Sequence, residues 1–222
     1  MGKYNVNINM SNRNCSHTLI MEQIKPGSTV LEMGCATGYM TKYMKEKLGC
    51  TVDIIEMDRD AIQVAKQYAR NWYCFDLNNY DVLSLSVNKY DYILFADVLE
   101  HLNHPYETLY IAGKMLKDDG KILISIPNIC HNDIIIKLFY DRFTYTDLGL
   151  LDSTHIHFWG LQDFAKFVEE AGLKITGTKT VKMPTQGTEQ RMDFRVDGQL
   201  MSLLNNRQNG EVYQYIFTCE RK

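Results

Sequence analysis

Three carboxylates lie at or near the ends of apolar runs in the first third of the chain, where they could bind a ligand. Glu32 lies in the run STVLEM, Glu56 ends TVDIIE, and Asp76 follows WYCF. A carboxylate at the end of a second strand can accept hydrogen bonds from both hydroxyls of a ribose. Asp58 is close enough to Glu56 to be an alternative for this role, and Asp76 can accept from an adenine amino group. Because like charges repel, these acids disfavour a phosphate and favour a nucleoside that carries positive charge.

The segment after the first apolar run is rich in small residues, with Gly34, Ala36 and Gly38 in the pattern G-x-A-x-G. It lacks the G-x-G-x-x-G pattern of dinucleotide-binding loops and the G-K-[ST] of phosphate-binding loops. Such a loop suits a ligand without a pyrophosphate that lies flat against the backbone. A tight strand–helix turn with no ligand is the alternative interpretation.

Histidines are the candidate acid–base groups, because an unperturbed pKa of about 6.5 suits proton transfer at neutral pH. They are found at positions 17, 101, 104, 131, 155 and 157. His101 follows Glu100 in DVLEH and is predicted early in a helix, near the rim of the site. His131 follows the fifth predicted strand, at the edge where substrates bind in such sheets.

His155 and His157, in THIHF, share one face if this piece is extended. That face could act in catalysis, or could bind a metal together with Asp152. We predict no metal, because no third ligand has the spacing of a typical site. In a purely structural alternative, His155 forms a hydrogen bond within its own segment and His157 packs beside Trp159.

Strand and helix patterns alternate along the chain, as is typical of a mostly parallel sheet with helices on both faces. Strands are predicted at 28–33, 51–58, 72–75, 90–97, 121–127, 173–181 and 211–220, and helices at 39–48, 60–69, 106–116 and 161–172. Residues 131–160 interrupt the alternation and would lie above the carboxyl ends of the strands. The predicted fold is α/β: a doubly wound, mostly parallel, seven-stranded Rossmann-like sheet with a helical and loop insertion after strand five.

Composition narrows the class of protein. The 222 residues carry a net charge of −3 at a pI of about 6.1, which gives no basic field for nucleic acid. The six cysteines form no C-x-x-C pair, so we expect reduced thiols and a cytoplasmic location. The polar start is no signal peptide, and no apolar run approaches the roughly 20 residues of a membrane span.

Several motifs stand together in a familiar order and spacing: VLEMGCATG, IIEMD, FDL, YILFADVLEHL and LKDDGKILISIPN. Over residues 28–130 they resemble class I S-adenosylmethionine-dependent methyltransferases, and FADVLEHLNHP is the most specific piece. Beyond them, PNICH and FTYTDLGLLDSTHIHFWGLQDFAKFVEEAGLKI look like a bacterial branch associated with glycan and glycolipid biosynthesis. The start YNVNINMSNRNCSH is similar to the leader of that branch, which usually reads N-S-S-H, with Cys15 at one serine position.

The resemblance implies a site for S-adenosylmethionine. The implied cofactor-binding set is Glu32, Gly34, Cys35, Ala36, Gly38, Glu56, Met57, Asp76, Leu77 and Asp97. The G-x-A-x-G loop and Glu32 would line the methionine part of the cofactor. Glu56 would hold the ribose, Asp76 with Leu77 the adenine, and Asp97 would face the cofactor's amino group or the substrate. Ala36 stands where the family usually has glycine, and one methyl group is a small obstacle.

Methyl transfer from a sulfonium mainly requires that the nucleophile lie within about 3–3.5 Å of the methyl group and that water be excluded. A hydroxyl nucleophile also needs a base, for which we rank His131 first, then His155, then His101.

The expected function is methylation of a small acceptor, first of all a hydroxyl or amine of a sugar, nucleotide sugar, glycan or glycolipid. A quinone, phenolic or other small metabolite is the second acceptor class, because DVLEHL also occurs in ubiquinone-type methyltransferases. A non-catalytic cofactor-binding module is the third alternative. We expect one domain: a leader over the cofactor (1–27), a cofactor-binding core (28–130), a substrate-side insertion (131–160) and a carboxyl-terminal part (161–222). The sequence does not determine the oligomeric state.

Overall fold

In the computed structural model, which describes residues 8–79 and 89–222, seven strands form a single sheet. The strands are β1 (Thr29–Met33), β2 (Thr51–Ile55), β3 (Asn71–Tyr73), β4 (Tyr90–Ala96), β5 (Leu116–Pro127), β6 (Leu173–Lys182) and β7 (Val212–Arg221). Their order is β3-β2-β1-β4-β5-β7-β6. β7 is antiparallel to both of its neighbours, and every other adjacent pair is parallel. The predicted fold class is confirmed.

Seven α-helices connect or cover these strands in the described part of the chain. They are α1 (Ser16–Met21), α2 (Tyr39–Leu48), α3 (Arg59–Ala65), α4 (Pro105–Lys114), α5 (Asn132–Phe139), α6 (Leu161–Glu170) and α7 (Gly198–Asn205). The sequence did not predict α1 or α7, which are short. Residues 1–7 of the predicted leader lie outside the described residues. No helix in the described ranges is long and apolar enough to cross a membrane.

Side chains of each central strand alternate between two hydrophobic layers, as the pleat requires. On one face Leu31 and Phe95 pack with α4 and α6, and on the other face Val30 and Leu94 pack with α1, α2 and α3. Because apolar layers cover both faces, polar groups that end the strands collect at the carboxyl edge of the sheet.

The structure differs from the predicted elements around β4 and β5. β5 begins at Leu116, and residues 117–120 form a bulge there, because Tyr90 pairs with Leu116 while Tyr92 pairs with Lys121. The Asp119–Gly120 pair falls within this bulge. His101 was expected early in the helix after β4; it lies instead at the end of a short 3-10 turn, Leu99–His101, because Pro105 begins α4.

The insertion contains α5 and a long loop that closes on its own small core of Ile134, Leu150 and Leu151. Its THIHF piece forms no strand, yet it docks on the turn after β4. The backbone N–H groups of Ile156 and His157 donate to the Glu100 carbonyl oxygen at 2.9 and 3.1 Å. The insertion therefore reaches the carboxyl edge of the sheet.

Candidate active site

The loop after β1 is tied to the end of β2, and two of its residues must be glycine. The N–H groups of Gly34 and Cys35 both donate to the carbonyl oxygen of Ile55, at 2.9 and 3.2 Å. Gly34 and Gly38 have positive φ values of 70° and 76°. A Cβ on Gly34 would lie 2.8 Å from Val98 Cγ2, and one on Gly38 would lie 2.7 Å from Ala65 Cβ. The loop therefore lies closely against its neighbours.

Glu56 holds the middle of this loop. Its Oε2 accepts a hydrogen bond from the Ala36 N–H at 2.7 Å, and its Oε1 accepts from the Asp58 N–H at 2.9 Å. Ala36 adopts φ = 48°, a left-handed conformation that glycine takes more easily. Met57, next to Glu56, is largely exposed at 64%. Asp58 instead caps α3 by accepting from the N–H groups at 60 and 61, so Glu56 is the acid that faces the loop.

Glu32 is buried beneath the loop, near the end of β1. Thr41 of α2 donates to its Oε2 at 2.6 Å. The pKa of Glu32 is raised to about 8. Burial is the main cause, the hydrogen bond from Thr41 and the charge of His17 act against it, and the charge of Glu56 adds to it. A positive charge placed on the loop would therefore be stabilised by ionisation of Glu32.

Asp97 follows β4 in a left-handed conformation with φ = 55°. Its Oδ1 accepts from Ser125 Oγ at 3.0 Å and from Gln214 Nε2 at 2.6 Å. Side chains of β5 and β7 thus fix an acid in a conformation that costs energy for a residue with a Cβ. Neither Ser125 nor Gln214 was identified from the sequence, because each lies within a regular strand.

Asp76 forms a turn at the end of β3, where its Oδ1 accepts from both the N–H and the side-chain amide of Asn78. Leu77, which follows it, is buried in the core. The Asn78 side-chain oxygen in turn accepts from the Asn103 N–H at 2.6 Å, which joins this turn to the loop after β4. Carboxylates therefore follow or end four neighbouring strands, β3, β2, β1 and β4.

His131 is fully buried at the first position before α5, and both of its ring nitrogens are engaged. Nδ1 accepts from the Asp133 N–H at 3.1 Å, and Nε2 lies 3.0 Å from the Met183 carbonyl oxygen, to which it must donate. In this arrangement His131 has no lone pair left to take a proton.

His155 and His101 lie together, with ring centroids 4.7 Å apart, although they are far apart in the sequence. His155 is buried, and burial followed by the charge of His101 lowers its pKa. A buried imidazole with a lowered pKa is neutral near pH 7, as a general base must be.

His157 does not join this pair. It stacks on Trp159 at 5.3 Å between ring centroids, as the structural alternative expected. Asp152 is occupied by Thr154, whose N–H and hydroxyl both donate to its Oδ1. Asp152 and His157 therefore do not form a ligand pair with His155.

A group that the sequence did not assign lies on the loop side of α2. Tyr39 Oη is 2.9 Å from His17 Nε2, and Cys15 Sγ is 3.9 Å from His17 Nδ1. Burial alone would lower the pKa of His17, but Cys15, Asp97 and Glu32 together raise it. The C-S-H leader motif was the available signal, and α1 places it against the loop.

Comparisons with known proteins agree with this geometry. A family model described as a methyltransferase domain matches residues 8–177. A ubiquinone biosynthesis O-methyltransferase of Glaesserella parasuis is 33% identical over 110 residues, 46% of each chain. A malonyl-(acyl-carrier protein) O-methyltransferase of Anoxybacillus flavithermus is 26% identical over 115 residues, 50% of this chain and 43% of that one. The chain spans less than half the length of these two relatives.

A solved structure of similar fold is a SAM-dependent methyltransferase from Archaeoglobus fulgidus, with a TM-score of 0.65 and 17% identity over 96% of this chain and 95% of that chain. At this identity the likeness concerns the fold alone. The family match extends from the leader through the loop, the four carboxylates and the insertion into β6. The chain therefore belongs to the methyltransferase-domain family, within the class I S-adenosylmethionine-dependent methyltransferases.

Proposed function

We propose that this chain transfers a methyl group from S-adenosylmethionine to an oxygen atom of a small acceptor. The observation that carries the proposal is the row of carboxylates at the ends of β3, β2, β1 and β4, beside a loop held in left-handed conformations. Such a row suits a cationic nucleoside and repels phosphates. The chain as a whole carries no basic excess that would favour nucleic acid.

The residues present fit the donor. Each Glu56 oxygen accepts one backbone N–H, which leaves each a lone pair for a ribose hydroxyl. Glu32 lies beneath the loop where the methionine part would lie, and burial raises its pKa, so a cationic group bound there would stabilise its charged form. We assign the ribose to Glu56, the adenine to Asp76 with Leu77, and the amino group of the donor to Asp97. The loop, with Cys35, and the neighbouring Met57 complete the site.

When bound, the donor supplies an electrophilic methyl group and a neutral thioether as leaving group. The chain must then align the acceptor oxygen, exclude water and accept the hydroxyl proton. Of the three histidines predicted for this role, His131 has both nitrogens engaged with backbone groups. We propose that the proton leaves at the His101–His155 pair, which adjoins the turn after β4.

The names of the relatives bear on the acceptor. Both curated relatives are named as O-methyltransferases, which favours an oxygen over an amine. One is named for ubiquinone biosynthesis, and exposed aromatic side chains on the insertion, Phe139, Phe143 and Tyr145, suit a planar or prenylated acceptor. We therefore propose a phenolic or quinone-derived hydroxyl ahead of a sugar or glycan hydroxyl.

Binding of S-adenosylhomocysteine by isothermal titration tests the donor site. Glu56→Gln keeps one acceptor oxygen and loses the charge, so affinity should fall about 10- to 100-fold. Asp58→Asn is the matched control, because Asn also caps a helix and Asp58 points at α3, so its affinity should stay within about twofold of wild type. Equal losses in both variants, or no binding by the wild type, would contradict the assignment.

Transfer of a labelled methyl group into bacterial extract tests the acceptor class. Label in the lipid-soluble fraction, as an aryl methyl ether, is expected; label in sugar-nucleotide or glycan fractions would reverse our preference. Intact S-adenosylhomocysteine binding with no transfer to any fraction would instead identify a non-catalytic binding module.

A further inference from the structure

A cluster of three potential metal ligands lies where the insertion meets the turn after β4. Glu100 and His101 belong to the 3-10 turn, and His155 belongs to the insertion. One ligand atom from each lies within 4.8 Å of the other two. The N–H groups of Ile156 and His157 donate to the Glu100 carbonyl oxygen, and this pairing fixes the two segments in register.

Glu100 is an unusual carboxylate, because both of its oxygens are buried and neither has a hydrogen-bond partner among the residues that the structure describes. Buried polar groups in folded proteins are satisfied in the great majority of cases, and an unpaired carboxylate costs more than any neutral group. A carboxyl group that only filled space would gain nothing over an apolar side chain. The unpartnered oxygens therefore point to a ligand.

Each of the two histidines has one ring nitrogen that can act as a ligand. His101 Nδ1 lies 3.2 Å from the Thr154 carbonyl oxygen, which can only accept, so Nδ1 carries the proton and Nε2 the lone pair. The Thr154 hydroxyl is consistent with this, because it donates to Asp152 and so accepts from His101. His155 Nδ1 is buried and has no hydrogen-bond partner within residues 8–79 and 89–222.

From this cluster of acceptors we propose that Glu100, His101 and His155 bind a divalent cation of the Mn²⁺, Co²⁺ or Zn²⁺ class. Two imidazole nitrogens and one carboxylate suit these ions, whereas Mg²⁺ and Ca²⁺ prefer oxygen ligands throughout. Ligand atoms about 2.1 Å from an ion lie about 3–4 Å apart, so shifts of about 1 Å close the cluster on it. The Nδ1–H bond of His101 to a backbone carbonyl is the second contact that metal-binding histidines typically make.

Three protein ligands leave at least one position open. An acceptor oxygen bound there would lose its proton to solvent more easily, because a cation lowers the pKa of a coordinated hydroxyl. With the cation bound, the lone pairs of His101 and His155 are its ligands, so the cation takes over the part assigned above to the histidine pair. This catalytic consequence rests on the proposed methyl transfer. Binding of the cation does not, and it can be measured without donor or acceptor.

The test is a pair of titrations of the metal-depleted 222-residue chain. Binding of Mn²⁺ is measured by electron paramagnetic resonance of the free ion, and binding of Co²⁺ is measured by visible absorption. We expect one Mn²⁺ per chain and a Co²⁺ spectrum without the thiolate charge-transfer band that bound cysteines would give. Glu100→Gln and His155→Gln should each weaken binding at least about tenfold, since each removes one of three ligands. His157→Gln is the matched control, two residues from His155 but stacked on Trp159, and should bind as the wild type does.

Thermal unfolding separates loss of a ligand from loss of the fold. Mn²⁺ should raise the Tm of the wild type and of His157→Gln, and leave that of Glu100→Gln unchanged. The proposed cation site would be overturned if the wild type did not bind Mn²⁺ stoichiometrically. It would also be overturned if the Glu100 and His155 variants bound Mn²⁺ as tightly as the wild type. If S-adenosylhomocysteine still binds in that case, the proposed donor site stands without it.

Discussion

Two glycines flank α2 in left-handed conformations. A comparison of alanine substitutions at the two positions measures how much the close packing of the donor loop against α3 contributes to stability. Gly38 precedes the helix with φ = 76°, and Gly49 follows it with φ = 63°. A Cβ on Gly49 would meet nothing within 4 Å, whereas one on Gly38 would lie 2.7 Å from Ala65 Cβ and 2.8 Å from Ala65 Cα. Alanine at either position bears the same backbone cost, but only Gly38→Ala also creates a clash with α3.

The two costs can be worked out separately. A left-handed conformation costs an alanine about 1–2 kcal/mol, and reduced freedom of the unfolded chain returns about 0.4–1 kcal/mol. Gly49→Ala should therefore destabilise the fold by about 1 kcal/mol. Overpacking of a close-packed site adds about 1–3 kcal/mol, and the obstacle includes a backbone atom, which cannot rotate away. We expect about 2–4 kcal/mol for Gly38→Ala.

The free energy of unfolding of both variants can be measured by urea unfolding, monitored by the fluorescence of Trp72 and Trp159. The urea midpoint should fall further for Gly38→Ala than for Gly49→Ala, with an unchanged dependence of the free energy on urea concentration. In thermal unfolding the same difference corresponds to about 2–4 °C per kcal/mol for a chain of this size. S-adenosylhomocysteine affinity should fall only in Gly38→Ala, because only that clash displaces the loop. The reasoning is refuted if the two variants unfold within about 0.5 kcal/mol of each other.

Other residues give further tests. Ala36→Gly should leave stability unchanged or raise it by up to about 1 kcal/mol in urea unfolding, because φ = 48° suits glycine; a clear loss would show that the methyl group packs. Glu32→Gln should flatten the pH dependence of unfolding between about pH 5 and 8. Burial raises the pKa of Glu32 to about 8, so the folded protein holds a proton that the unfolded chain releases, and stability falls as pH rises through this window. Parallel wild-type and variant curves from pH 5 to 8 would contradict this. The rate of Cys15 alkylation, measured by peptide mapping, should be half-maximal near pH 7, since a hydrogen bond with His17 lowers the Cys15 pKa to about 7. His17→Ala should move this midpoint toward about pH 8.5. A midpoint that did not move would exclude the Cys15–His17 pairing.

The parts of the site that the sequence predicted are those that local pattern determines. Alternating apolar runs define where parallel strands end, and therefore placed Glu56 and Asp97 at one edge of the sheet. The small residues at 34 and 38 were identified because a strand–helix turn with close neighbours leaves room for no Cβ. These features depend on a few consecutive residues, so one sequence suffices to find them.

The environment of the histidines could not be predicted in this way. His131 was ranked first because it follows β5, yet it caps α5 and binds Met183, 52 residues further on. No third metal ligand lies close to His155 and His157 with typical spacing, whereas Glu100 and His101 come from a turn more than fifty residues before His155. Contacts between residues so far apart in the sequence depend on how the insertion folds, and the spacing of residues along the sequence does not reveal this.

The docking of the insertion on the turn after β4 also separates donor binding from removal of the acceptor's proton. The donor side is built on β1–β4 and on the loop that Glu56 holds. His155 instead reaches the site through the docked insertion, which the backbone bonds to the Glu100 carbonyl and the His101–Thr154 hydrogen bonds hold in place. Loss of that docking moves His155 and leaves the carboxylate row in place. Ile156→Pro removes one of the N–H groups that donate to the Glu100 carbonyl oxygen, so it should lower kcat and leave S-adenosylhomocysteine affinity unchanged. Glu56→Gln should instead weaken donor binding and leave kcat at saturating donor unchanged. Because the two effects have separate structural causes, a variant of Ile156 that weakened donor binding as much as turnover would mean that the insertion closes over the donor as well.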